Sequence, residues 1–197
     1  MPSEESPPRL ILASASPRRR ELLQQTSLRF RVIPSHMEET RRDKEPPETY
    51  VARIAAEKAR AIAERQPGFW ILAADTIVAL EGRVFGKPAN LDNARQMLTT
   101  LSGHPHQVMT AFVLLDTAGN TTAAEVVTSQ VTFKELSASE VTAYLATGEP
   151  FDKAGAYAFQ GKGRDLIAQV SGSHSNIIGL PMDEVTAALR TVGLLPA

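Results

Sequence analysis

The 197-residue sequence contains no cysteine. That absence excludes a disulfide scaffold, a thiolate zinc site and a cysteine nucleophile, and it fits a reducing, cytoplasmic setting. An excess of one charge sign is also missing: 21 Lys and Arg stand against 22 Asp and Glu, for a formal charge of −1. A general nucleic-acid binder is usually strongly basic, so no stable nucleic-acid binding is expected, which leaves room for a local basic site. No apolar run approaches the roughly 20 residues that span a bilayer, so no membrane association is expected. Met1–Pro8 is acidic and Pro-rich, unlike a signal peptide; it is expected as a flexible N-terminal extension of a single domain covering 1–197. Gly-x-x-x-x-Gly-Lys-Ser/Thr, Gly-x-Ser-x-Gly and Gly-x-Gly-x-x-Gly are all absent. P-loop NTPases, α/β-hydrolases and Rossmann dehydrogenases therefore lack their signatures here. The four histidines form no helical His-x-x-x-His pair, which argues against zinc.

Apolar runs alternate with helical patterns along the whole chain, which predicts an α/β protein with a mixed sheet. Strands are expected at Arg9–Ala13, Arg29–Ile33, Trp70–Leu80, Val108–Asp116, Val126–Phe133, Ala156–Phe159 and Leu166–Val170. Helices are expected at Pro17–Gln25, Thr49–Arg65, Asn90–Leu101, from Ser137 to Gly148, and at Met182–Val192. Asn90 is a candidate cap, Ser137-x-x-Glu140 reads as a capping box, and Gly103 is a stop signal. Leu91, Ala94, Leu98 and Leu101 form one apolar stripe; Met182, Val185, Leu189 and Val192 form another. His36–Glu48 reads as a polar loop, and His104 and His106 flank Pro105 in a second one.

Four places depart from the pattern that stability alone would select. In Ser14-Ala15-Ser16-Pro17-Arg18-Arg19-Arg20, Ser16 can cap a helix whose first turn is crowded with arginines, at the dipole end that disfavours cations. A bound anion would reverse that cost, drawing on free amides, hydroxyls and guanidinium forks; a solvated basic turn is the alternative. Lys58 occupies a core position in the Val51, Ile54, Lys58, Ile62 stripe, either with chemistry to perform or snorkelling to water. Asp75-Thr76 interrupts the apolar Phe69–Leu80 run, where a carboxylate is costly unless paired or metal-bound. A hairpin at Glu81-Gly82 would return Lys87 towards it, so a buried Asp75–Lys87 ion pair is the structural alternative. Finally, Glu149–Gly161 contains two glycines that allow close approach of a ligand, together with Lys153 and the amide of Gln160, which suits a base edge. The carboxylates favour a hard cation, Mg²⁺ or Mn²⁺.

These segments, in this order, resemble the Maf family of nucleoside triphosphate pyrophosphatases. The matching pieces are Leu12–Leu23, Glu38-Glu39-Thr40, Ala52–Ala59, Ala74–Val78, Gly86-Lys87-Pro88, Leu101-Ser102-Gly103, Asp152–Tyr157 with Gln160-Gly161, and Ser175–Pro181. The likeness runs from about Leu10 to Leu189; each piece is modestly specific and the ordered set highly so. Glu38 stands where the family often has Asp, and Ser175–Ile178 is a mild variant.

The resemblance implies an elongated mixed sheet with flanking helices in two lobes around a cleft, similar to inosine triphosphatases, and often a homodimer. It implies metal-dependent hydrolysis of an NTP to NMP and pyrophosphate. Arg18, Thr76 and the Asp152–Tyr157 run with Gln160 match the branch that prefers dTTP and UTP over 7-methyl-GTP. By the same resemblance Asp75 is the general base, directly or through the metal, with Glu39 as a further metal carboxylate. Ser14, Arg19, Lys58 and Lys87 hold the triphosphate, with Lys58 and Lys87 counted in the catalytic set. Arg18, Thr76 and Gln160 read the base, and Lys153 lies in the phosphate or base region. The rival expectations are a non-catalytic nucleotide-sensing or cell-division regulatory module, and a nucleic-acid binder built on Arg18–Arg20, which lacks interleaved aromatics.

Overall fold

A computed structural model describes residues 9–196; the expected N-terminal extension lies outside them. Seven strands form one mixed sheet: β1 (Leu10–Leu12), β2 (Phe30–Val32), β3 (Trp70–Leu80), β4 (Arg83–Phe85), β5 (Pro105–Leu115), β6 (Thr121–Phe133) and β7 (Ile167–Ser171). Among the described residues six α-helices flank it: α1 (Pro17–Gln24), α2 (Pro47–Ala63), α3 (Leu91–Leu101), α4 (Ala138–Leu145), α5 (His174–Ile178) and α6 (Met182–Thr191). The order is β2-β1-β3-β5-β6-β7, with β4 hydrogen-bonded to β3. β1 runs parallel to β2 and β3, and the other pairings are antiparallel. Among the described residues no helix is long and apolar enough to cross a membrane.

β3 organises the molecule. Along one edge it pairs with β5 from Ile71 to Ala79. Along the other it meets β1 only at Trp70–Leu72 and β4 only at Val78–Leu80. Between these contacts, Ala73–Ile77 are paired on one side alone. The sheet forks there, and Asp75 and Thr76 sit in the fork. Strand alternation turns Ile71, Ala73, Asp75 and Ile77 towards α2, and Leu72, Ala74 and Thr76 to the opposite face. On the first face, Val51, Ile54, Ala55, Ala59 and Ile62 of α2 pack on Ile71, Ala73, Ile77 and Val113. On the second, Leu22 and Leu23 of α1 and Val185 and Leu189 of α6 pack on Leu72, Ala74 and Phe112. A third core, built from α3, α4, Phe85, Phe133 and Tyr157, lies at the β4 end.

The local signals explain these elements. α2 is Ala-rich, starts with Pro47 at its first turn, carries Glu48 there and Arg60 in its last turn, matching the helix dipole. Asn90 caps α3 by accepting from the Asn93 amide at 2.8 Å. Ser137 and Glu140 form the capping box that opens α4.

Three expectations are corrected. Ala156–Phe159 is no strand: Gly155 (φ 68) and Ala156 (φ 59) take left-handed conformations that break the extended run. His104 lies in the turn before the strand, as expected, but His106 does not lie in a loop; β5 begins at Pro105 and buries it. Leu91 leaves the α3 stripe at 48 % exposure, and Met97 is buried instead, because the first turn of α3 projects beyond the core it packs against.

Candidate active site

All ten side chains singled out from the sequence line one cleft of about 660 Å³: Ser14, Arg18, Arg19, Glu39, Lys58, Asp75, Thr76, Lys87, Lys153 and Gln160. It opens at the fork in the sheet. Among its lining residues, Arg18, Arg19, Lys58, Lys87 and Lys153 outnumber Glu39, Asp75 and Asp152 by two charges.

Lys58 does not snorkel. It is 8 % exposed; its ammonium donates to Asp75 Oδ1 at 2.7 Å and forms an ion pair with Glu39 Oε1 at 2.7 Å. The α2 stripe and the β3 alternation converge to make this contact, since both residues point into the α2–β3 interface. The expected Asp75–Lys87 pair is therefore replaced by Asp75–Lys58. Lys87 is exposed and forms no ion pair among the described residues. Asp75 Oδ2 has no protein hydrogen-bond partner among the described residues.

The opposite wall is the start of α1. Ser16 caps the helix, and Pro17 occupies its first turn. Ser14 Oγ accepts from the Ser16 amide at 3.2 Å and from Arg19 Nη1 at 3.1 Å. Both lone pairs are thus engaged, which leaves the Ser14 proton to donate. Arg19 also donates through Nε to the Gly179 carbonyl at 2.7 Å and through Nη2 to Thr76 Oγ1 at 2.9 Å. Three of its five N–H groups are used, and one on each terminal nitrogen is left over. Burial lowers the Arg19 pKa from its ordinary value, and the charges of Asp75 and Glu39 act against that shift. An anion in the cleft would meet the Ser14 hydroxyl and the two spare guanidinium protons together. Gly179 has φ 128, which favours glycine, so the carbonyl that fixes Arg19 depends on that residue.

At the far rim, Arg18 pairs with Asp152 at 3.2 Å. Lys153 donates to the Glu149 carbonyl at 2.7 Å and also contacts Asp152. Gln160 is exposed on the cleft wall. The two glycines of this segment serve packing rather than ligand approach: a Cβ on Gly155 would meet Val78 at 3.0 Å, and one on Gly161 would meet the Glu149 carboxylate at 2.6 Å.

Sequence reasoning missed several residues that position the site. Glu45 is buried and binds Arg53 through both oxygens, at 2.7 and 2.8 Å. Arg53 also donates to the Thr40 carbonyl at 3.0 Å, and the Tyr50 hydroxyl donates to the Glu39 carbonyl at 3.2 Å. Together they tie the Glu39 loop to α2. The Arg53 side-chain hydrogen bond holds the Glu45 carboxyl down at about 2. His106 supports Tyr157 in the cleft wall: Tyr157 donates to His106 Nε2 at 2.9 Å, and His106 Nδ1 donates to the His104 carbonyl at 3.2 Å. Thr110 and Asn176, both fully buried, lie behind Thr76. None of these carried a periodicity anomaly; a Thr in a strand is ordinary, and Glu45 sits among loop charges.

Among the described residues no group of three or more His, Cys, Asp or Glu could cage a metal. Two carboxylates facing a cleft nevertheless form the hard-oxygen pair that Mg²⁺ or Mn²⁺ uses when phosphate and water complete its shell. The donor set fits such an ion.

Fold and site define a mixed α/β protein with a cationic cleft that carries a carboxylate pair, a class suited to a multiply charged anion. The chain belongs to the family described as Maf-like protein, which matches residues 9–192. It is 51 % identical over 185 residues to a dTTP/UTP pyrophosphatase of Myxococcus xanthus, covering 94 % of this chain and 93 % of that one. It is 48 % identical over 187 residues to a dTTP/UTP pyrophosphatase of Syntrophus aciditrophicus, covering 95 % and 91 %. A solved structure of a nucleoside-triphosphatase / dITP/XTP pyrophosphatase from Mycobacterium abscessus superposes with TM-score 0.45 at 14 % identity, over 95 % of this chain and 97 % of that one.

Proposed function

We propose that this protein is a nucleoside triphosphate pyrophosphatase that hydrolyses dTTP and UTP to the monophosphate and pyrophosphate. One observation carries the proposal: the Asp75–Lys58–Glu39 cluster, with both contacts at 2.7 Å, shares a cleft with the Ser14–Arg19 donors. The names borne by relatives at about half identity support the pyrimidine substrates.

Water attacks the α-phosphorus, the bond to the bridging oxygen breaks, and pyrophosphate leaves with that electron pair. Asp75 Oδ2 orients the water and takes its proton. Lys58 holds Asp75 and Glu39 in one geometry and offers a remaining proton to a phosphate oxygen. Ser14 and Arg19 bind the phosphates from the α1 side, and Lys87 binds them from the β4 side. Such preorganised donors stabilise the charge that develops during transfer. Arg18 and Gln160 face the base, with Lys153 beside them. Glu39 and Asp75 would hold a divalent cation, which when bound supplies positive charge against the phosphoryl oxygens.

Asp75→Asn tests the assignment. Turnover should fall by about 10²- to 10⁴-fold while dTTP binding and the fold persist. Near-normal kcat would remove Asp75 from the chemistry. Tight nucleotide binding by the wild type, with no pyrophosphate released from any NTP, would leave a nucleotide-sensing module instead.

A further inference from the structure

Thr76 lies directly opposite Thr110 in the β3–β5 register. Their hydroxyls are 2.9 Å apart, and the direction of that hydrogen bond follows from its neighbours. The Asn176 carbonyl only accepts, so the Thr110 proton, 2.9 Å away, goes to it. Thr110 Oγ1 must then accept from Thr76. Thr76 Oγ1, with its own proton committed, accepts from Arg19 Nη2 at 2.9 Å. The result is a one-way chain: Arg19 N–H to Thr76 O–H to Thr110 O–H to the Asn176 carbonyl.

The far end is anchored. Asn176 is fully buried, and its amide donates to the Val108 carbonyl at 3.1 Å and to Ser129 Oγ at 2.9 Å. Ser129 in turn donates to the Ser173 carbonyl at 3.0 Å. Asn176 therefore clamps α5 to both β5 and β6. The same short helix ends at Gly179, whose carbonyl takes Arg19 Nε. Two contacts to one guanidinium thus trace back to one clamped element.

We infer that Thr110 is a positioning residue for Arg19, acting through the Thr76 hydroxyl. This rests on the proposal that Arg19 binds the substrate phosphates. Thr110 fixes Thr76 as an acceptor only, so Thr76 aims Arg19 and has no proton to offer a base. With Thr110 lacking its hydroxyl, the Thr76 proton is released, the hydroxyl turns, and the guanidinium loses its fixed acceptor.

The test is a double-mutant cycle on purified enzyme with dTTP and with UTP. Thr110→Val preserves shape and removes the hydroxyl, and Thr110→Ala removes it with less crowding should the valine variant not fold. Either should lower kcat/KM about tenfold, the size expected for one charge-assisted hydrogen bond, equally for both substrates. Thr110→Ser, which restores the hydroxyl, should recover most of it. In an Arg19→Ala background the Thr110 substitution should cost nothing further. Additive losses in the two backgrounds, or a Thr110→Ser variant as impaired as Thr110→Val, would make Thr110 merely structural and overturn the inference. An Arg19→Ala enzyme with unchanged kcat/KM would instead overturn the phosphate-binding proposal beneath it.

Discussion

Acidification should loosen the cleft wall through His106. This side chain is 1 % exposed and packs edge-on against Phe133 and Tyr157, with ring centroids 4.9 and 5.4 Å away. The His104 carbonyl only accepts, so Nδ1 carries the proton and Nε2 must accept from Tyr157. Protonation would place a second donor against the Tyr157 hydroxyl. Burial accordingly pushes the His106 pKa from 6.5 down to about 4. Unfolded, His106 binds a proton near its ordinary value; folded, it does so only near 4. Between these values the unfolded chain holds more protons, so stability falls as pH falls, and the effect is complete by about pH 4. At ~1.4 kcal/mol per unit the full penalty is ~3 kcal/mol, of which ~2 kcal/mol should be lost by pH 5. Urea unfolding followed by circular dichroism at pH 7, 6 and 5 measures the loss. His106→Gln keeps an acceptor for Tyr157 without titrating, and its stability should change by much less over the same range. A wild-type protein equally stable at pH 7 and 5, or a variant with the same slope, would refute the buried neutral imidazole.

Two further outcomes follow from the site. Gln160→Ala should change the ratio of kcat/KM among dTTP, UTP and purine NTPs, measured by pyrophosphate release; an equal loss for every NTP would make Gln160 structural. Glu45→Gln should lower Tm at pH 7, because Arg53 loses its paired carboxylate. The wild type alone should show the matching acid sensitivity: the contribution of Glu45 is present above its ordinary value of 4.5 and is lost as pH falls to about 2. Identical melting curves for the two proteins across that range would refute the pairing.

Much of this was legible in the sequence wherever two periodicities had to agree. β3 spans Trp70–Leu80 as its apolar run predicts, and Asp75 is visible because it breaks that run. Lys58 is visible because it breaks the stripe of α2. That the two anomalies touch each other was not legible: whether a lysine snorkels, returns from a hairpin or pairs is decided by how α2 lies across β3. The Ala156–Phe159 segment misled because its small–aromatic alternation matches a strand, while its conformation is set by positive φ at Gly155 and Ala156. Thr110 gives no signal, since a threonine in a strand is common, and Asn176 stands in the Ser175–Pro181 piece without a role of its own. Their role exists only once register sets Thr110 opposite Thr76.

The fork in the sheet explains why so much charge can be kept in one place. A carboxylate and an ammonium buried in a continuous sheet would both lose hydration, and apolar residues there would often be at least as stable. Where β1 has ended and β4 has not begun, Asp75 has backbone pairing on one side and open cleft on the other. Lys58 can then be nearly buried while keeping two carboxylate partners. The cations opposite are a different matter. Arg18, Arg19 and Lys87 share the cleft with too few carboxylates to balance them, and burial already lowers the Arg19 pKa. Like charges gathered in one cleft raise its energy, and a multiply charged anion would lower it by supplying the missing negative charge. The Thr110 chain limits that cost by engaging one Arg19 N–H with a hydroxyl whose own proton is already committed, so the guanidinium stays aimed without a further carboxylate to compete with the substrate.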